Sequence, residues 1–132
     1  MANSFYSYSA YISPSSNADI KVLKEFLDAF YQESDNKITL SDNQITITFD
    51  DEYNFYIYLA EEEHVNQEAL EIAGYLEEDW NETPYDKEKL KVSKKRFEVW
   101  GDSDFDMDYF NDSLFIIEQV EKFNDIIIFQ NQ

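Results

Sequence analysis

Cysteine is absent from the 132 residues, and with it go a disulfide framework, a thiolate nucleophile and a Cys-ligated zinc or iron–sulfur centre. Glycine is almost absent too. Gly74 and Gly101 are the only two, too few for a Walker A loop or a G-x-G-x-x-G fingerprint, which need bare backbone against phosphate. Positive charge is scarce: 10 Lys+Arg stand against 29 Asp+Glu, giving a formal net charge of −19 and a pI near 4.1. A direct nucleic-acid binder needs cations to neutralise phosphate, so that class is excluded, and docking on anionic lipid is disfavoured for the same reason. Long apolar runs are missing. Ile126–Phe129 is far too short to cross a bilayer. Met1–Tyr11 lacks the basic start and apolar stretch of a secretory leader, so a cytoplasmic protein is expected.

Catalytic parts are equally sparse. The single histidine, His64, follows Glu61-Glu62-Glu63, and no G-x-S-x-G elbow accompanies it, so a nucleophilic triad lacks its members. His64 reads as solvated. Asp102, Asp104, Asp106 and Asp108 form D-x-D-x-D-x-D, which starts like a calcium loop. The position that needs glycine holds Met107, and the one that needs a bidentate glutamate holds Ser113. Acid/base work by paired carboxyls needs two in different environments. Among 29 acids no pair stands out in sequence. No catalysis, metal or cofactor is expected.

What the chain does have is core material. It is 43% hydrophobic and 17% aromatic, which separates it from disordered acidic chains, and its length suits one domain over 1–132. Phe5–Ile12 alternates as a strand. Ser13–Asn17 is a turn with Ser16 or Asn17 as a helix cap. Ile20, Leu23, Phe26, Leu27, Phe30 and Tyr31 line one face of a helix over Ala18–Glu33. Lys37–Leu40, Gln44–Phe49 and Tyr53–Leu59 predict an antiparallel meander with a turn at Ser41-Asp42-Asn43. A second helix is predicted over Asn66–Asp79 and a loop over Asn81–Asp86. Leu90–Ser93 and Arg96–Trp100 follow as strands, or as one longer strand with a bulge. A third helix is predicted from Tyr109 or Asn111 to Phe123. Ile126–Phe129 closes the chain as a strand covered on both faces. The order β-α-β-β-β-α-β-α-β predicts an α+β domain, mainly antiparallel sheet with three helices.

Charge layout is the strongest functional signal. Acids come in blocks, and six of the ten cations (Lys87, Lys89, Lys91, Lys94, Lys95, Arg96) lie in one ten-residue stretch. The other 122 residues hold 28 acids and four bases. Solubility alone accounts for a net charge of about −5 to −8. A larger excess destabilises the compact state by self-repulsion, so a basic macromolecular partner is expected to receive it. The expected partner-binding residues are Asp50, Asp51, Glu52, Glu68, Glu71, Tyr75, Glu78, Asp79, Glu82, Asp102, Asp104, Asp106 and Asp108, with Tyr75 as an aromatic anchor between Glu71 and Glu78. The Lys87–Arg96 stretch is expected to neutralise acids within the fold. A homodimer contact is its alternative role.

Nucleic-acid enzymes carry basic surfaces by necessity, so two classes compete: an immunity protein capping a nuclease toxin, and an acidic mimic filling a defence enzyme's nucleic-acid channel. If extended, Asp102–Asp108 would place carboxylates on one face about every 6.6 Å, much sparser than duplex charge. Three stretches (Phe97–Asp102, Asn111–Glu118 and Asp125–Phe129), with the small size and element order, resemble immunity proteins of bacterial polymorphic-toxin and contact-dependent growth-inhibition systems. The stretches that carry the resemblance fall within residues 97–129, about a quarter of the chain. It implies a non-catalytic, cytoplasmic protein that binds its toxin and blocks the active site or substrate channel.

Overall fold

Isoleucines two apart build the middle of the sheet. The computed structural model describes residues 5–79 and 86–131, and for 75–79 the backbone alone. Strands β2 (Lys37–Ser41) and β3 (Gln44–Thr48) form a hairpin with Ser41 opposite Gln44. Asp42 and Asn43 make its two-residue turn at φ 50° and 66°, the left-handed geometry that Asp and Asn tolerate and that matches strand twist. β4 (Asn54–Ala60) continues the meander. The predicted meander is therefore present, within a residue or so at each end.

β1 (Phe5–Ile12), β5 (Lys95–Gly101) and β6 (Ile126–Gln130) complete one sheet in the order β2-β3-β4-β5-β1-β6, every neighbouring pair antiparallel. The register of β1 slips between Phe5 and Tyr8, where Tyr6 takes φ 57° in a bulge. On one face, Ile45, Ile47, Phe55, Ile57, Phe97 and Val99 are buried beneath α1 (Ile20–Phe30) and α4 (Phe110–Val120). On the other, Tyr11, Ala60 and Ile127 meet Val65, Ala69 and Ala73 of α2 (Glu63–Asp79) and Leu90 of α3 (Lys87–Lys91). The result is helix, sheet, helix, an α+β architecture with four described helices.

Several expectations need correction. Leu90–Ser93 is not a strand. Asp86 caps a short helix there by accepting from Lys89 N–H at 3.1 Å, and Leu90 drops into the core beside α2. That raises the helix count from three to four. The first helix starts at Ile20 because Asp19, not Ser16 or Asn17, caps it, accepting from Lys21 N–H at 2.7 Å and Val22 N–H at 3.2 Å. The second begins at Glu63, three residues early. β6 is covered on both faces, as expected, with Ile126 and Ile128 against the α1/α4 cluster and Ile127 and Phe129 against the α2/α3 one, but only Ile127 is fully buried because β6 is an edge strand. Among the described residues no helix is long and apolar enough to cross a membrane.

Candidate functional site

Two acidic blocks meet at one end of the sheet. Asp50-Asp51-Glu52 turns the chain from β3 into β4, with Glu52 at φ 69°, and the loop 102–109 leads from β5 to α4. Asp102 ties them together. Its Oδ2 accepts from Asn54 N–H at 3.0 Å and Asn54 Nδ2 at 3.1 Å, and its Oδ1 accepts from the Tyr56 hydroxyl at 3.0 Å. The Tyr53 hydroxyl donates to the Asp102 carbonyl at 2.7 Å. From the other side, the Tyr109 ring stacks on Tyr53, and its hydroxyl lies within the electrostatic reach of Asp51.

Asp104 shapes the loop. Its carboxylate accepts from the Tyr6 hydroxyl at 2.6 Å, Asp108 N–H at 3.0 Å and Tyr109 N–H at 2.8 Å. Burial raises its pKa, but these three donors outweigh burial and hold it below the usual aspartate value. The crowding of negative charge shows in the tyrosines. Burial pushes the Tyr109 hydroxyl well above its ordinary range, and Asp51, Asp50 and Asp108 push it further. Tyr53 is raised likewise, first by burial and then by Asp104.

The four aspartates therefore do not form an extended row. Asp102 and Asp104 turn inward as structural acceptors, while Asp106 and Asp108 face solvent. Between them the loop exposes apolar side chains. Phe105 is 85% exposed, touching Phe5 edge-on, and Met107 is 57% exposed on a left-handed backbone. Asp50, Asp51 and Glu52 are exposed beside them. Among the described residues no ion pair reaches any of these acids. The ion pairs of the Lys87–Arg96 stretch lie toward the opposite end, joining Lys89 to Asp125, Lys91 to Glu88 and Lys95 to Glu61. The expected internal neutralisation by that stretch is thus seen in these pairs, and it leaves the far end uncompensated.

Arg96 is the buried centre of that stretch, 8% exposed. It donates to Glu98 through Nε at 2.8 Å, and through Nη1 to Glu68 at 2.6 Å and the Tyr11 hydroxyl at 2.9 Å. Burial lowers its pKa, but those partners more than reverse the effect and hold it above the ordinary value. Beside it opens a cleft of about 640 Å³ whose lining includes Ser9, Ile72 and Trp100. Its one guanidinium is engaged, so the cleft offers acceptors and aromatic surface rather than a free cation. His64 is exposed, with Nε2 3.5 Å from Arg96 Nη2.

The expected binding residues thus separate into groups. Asp50, Asp51, Glu52, Asp106 and Asp108 gather at one exposed end, framed by Asp102 and Asp104. Glu68 is paired with Arg96 on the sheet's other face, and Glu71 is exposed on α2. The side chains of Tyr75, Glu78 and Asp79, and all of Glu82, lie outside the described residues. Phe105, Met107, Tyr53 and Tyr109 were not expected at the site. The signal for the first two was present: apolar residues interleaved among aspartates in a segment following a glycine. No protein family matches the chain, and no curated protein or solved structure matches it.

Proposed function

We propose that this chain is a binding protein of the immunity type, which caps a basic bacterial toxin, a nuclease by preference, and blocks its active site or substrate channel without catalysing a reaction. A cytoplasmic location beside the toxin's site of synthesis goes with this reading. The observation that carries it is the end formed by Asp50, Asp51, Glu52, Asp106 and Asp108 around exposed Phe105 and Met107, reached by no described ion pair. Interfaces place apolar anchors inside a polar rim, and a rim of one sign speeds the approach of a partner of the other sign. Nucleases must carry cationic channels to hold phosphate, so they present the complementary surface. The nucleic-acid mimic has less support: with Asp102 and Asp104 engaged inside the fold, the Asp102–Asp108 run offers no regular string of carboxylates to copy a phosphate backbone.

The test takes the basic protein encoded beside this chain's gene and measures its nuclease activity with and without the chain. Association rates are then followed as salt rises. Inhibition, with an on-rate that falls steeply with salt and falls again in an Asp50→Lys/Asp106→Lys double variant, supports the reading. Undiminished nuclease activity, or an on-rate indifferent to salt, rejects it.

A further inference from the structure

Among the described residues no strand pairs with the outer edge of β6, and its pairing with β1 sets which groups face outward. Ser13 N–H donates to the Asp125 carbonyl at 3.2 Å, and Asn131 N–H donates to the Ser7 carbonyl at 2.8 Å. Antiparallel ladders alternate bonded and non-bonded pairs. Ile127 and Phe129 therefore turn their backbone groups toward β1, while Ile126, Ile128 and Gln130 turn theirs away. No hydrogen bond among the described residues engages these outward groups.

Edge strands are usually guarded by lysine, proline or a bulge. The other edge strand, β2, opens with Lys37 and exposes Thr39 and Ser41. β6 reads Ile-Ile-Ile-Phe-Gln, with no charge and no proline. A groove of about 500 Å³ runs beside it. Asp86 and Lys89 wall it from the α3 side, Glu121 and Phe123 from the end of α4, and Ile126–Ile128 form its floor. An added strand would find backbone partners along its length, with apolar surface from Phe123 and Ile126–Ile128 for some of its side chains and the Asp86 and Glu121 carboxylates for others.

Charge selects the occupant. Lys89 is held by Asp125, while among the described residues no ion pair reaches Asp86 or Glu121. A second copy would bring another −19 to this groove. We infer that β6 receives an extended segment of a basic partner as a seventh strand, apolar at alternate positions and bearing lysine or arginine between them. The basic character rests on the function proposed above; the bare edge and the groove do not.

The probe is a short synthetic peptide alternating valine with lysine and threonine, compared with a copy in which glutamate replaces lysine. Binding is read by fluorescence anisotropy on the full chain, and its location by amide hydrogen exchange. The lysine peptide should slow exchange at Ile126, Ile128 and Gln130. Gln130→Pro should weaken it by about tenfold with an unchanged melting temperature, because that N–H points outward and the side chain is exposed. Binding that Gln130→Pro leaves intact, or protection of β2 amides instead, overturns the inference, and if the lysine peptide still outbinds the glutamate one the basic-partner reading survives it. Equal binding of both peptides at β6 rejects the basic partner and leaves the edge as a strand acceptor. A chain that sediments as a dimer, dissolved by Gln130→Pro, overturns the inference in favour of a second copy.

Discussion

Tyr109 lies flat on Tyr53, ring centroids 4.0 Å apart and planes 9° from parallel. One ring comes from the turn just before β4 and the other from the loop before α4, so the stack holds the two acidic blocks against each other. Carboxylates of like charge would otherwise drive these segments apart. The stack and its flanking hydrogen bonds oppose that repulsion.

Removing the ring while keeping an apolar side chain separates structure from charge. Tyr109→Leu loses the stack on Tyr53 and should cost about 1 kcal/mol in urea unfolding, since an aromatic pair is worth about 0.5–1.5 kcal/mol beyond its burial. With the hairpin and loop no longer held together, association with a basic partner should slow although no carboxylate has been lost. An unchanged on-rate would show that the stack does not organise the binding end.

Gly101 is where the close approach of chains matters most. A Cβ there would stand 2.5 Å from the Tyr53 hydroxyl and 2.9 Å from the Phe55 ring. Phe55 is fully buried and cannot retreat. Gly101→Ala should therefore cost about 1–3 kcal/mol, the usual range for overpacking. Urea denaturation measures the loss, and tyrosine fluorescence should report displacement of Tyr53.

Much of the sheet was legible because Ile45, Ile47, Phe55 and Ile57 keep a strict period of two, and a buried face leaves such a pattern one register. Leu90–Ser93 misled because Leu90 and Val92 alternate with Lys91 and Ser93, a single step of two that is too short to decide a strand, and Val92 is half exposed. Its state was decided by the Asp86 cap and by packing on α2, which are tertiary facts. At the site, the blocks Asp50–Glu52 and Asp102–Asp108 were visible as composition. Which carboxylates point inward was not, because Tyr6, whose hydroxyl takes up Asp104, stands in a bulge at φ 57° that no propensity of tyrosine suggests. The bare edge of β6 depends on strand order, which the apolar run itself does not encode.

Arg96 should be the costliest charge to remove. Arg96→Met leaves Glu68, Glu98 and Tyr11 without their shared donor, and breaking such a buried pair typically costs about 3–5 kcal/mol. The lower end is expected because Glu68 is half exposed. Arg96→Lys should recover only part, since an ammonium cannot reach Glu98 and Glu68 with the same fork. Glu68→Gln should cost less than either. Equal stability of the Arg96→Met chain in urea would mean that the cluster is not what anchors β5 to α2.

Two aspartates give the stability of the chain opposite responses to acid. The folded-state pKa of Asp104 is lowered, so its contribution is complete above the unfolded aspartate value of about 3.9 and is lost as pH falls through the lower folded value. Asp112 runs the other way. Burial raises its pKa, only partly offset by the Tyr31 hydroxyl that donates to it at 2.8 Å, so its charged form weakens the fold as pH rises through the folded value. Asp112→Asn keeps an acceptor for Tyr31 and removes the buried charge. It should melt higher than the parent at pH 7, and the gain should vanish as pH drops toward the unfolded value. Asp104→Asn should melt lower at pH 7, with the deficit shrinking in acid. Melting curves of the three chains from pH 7 to pH 3 measure both trends, and a constant offset for either variant would show that its carboxylate acts by shape alone.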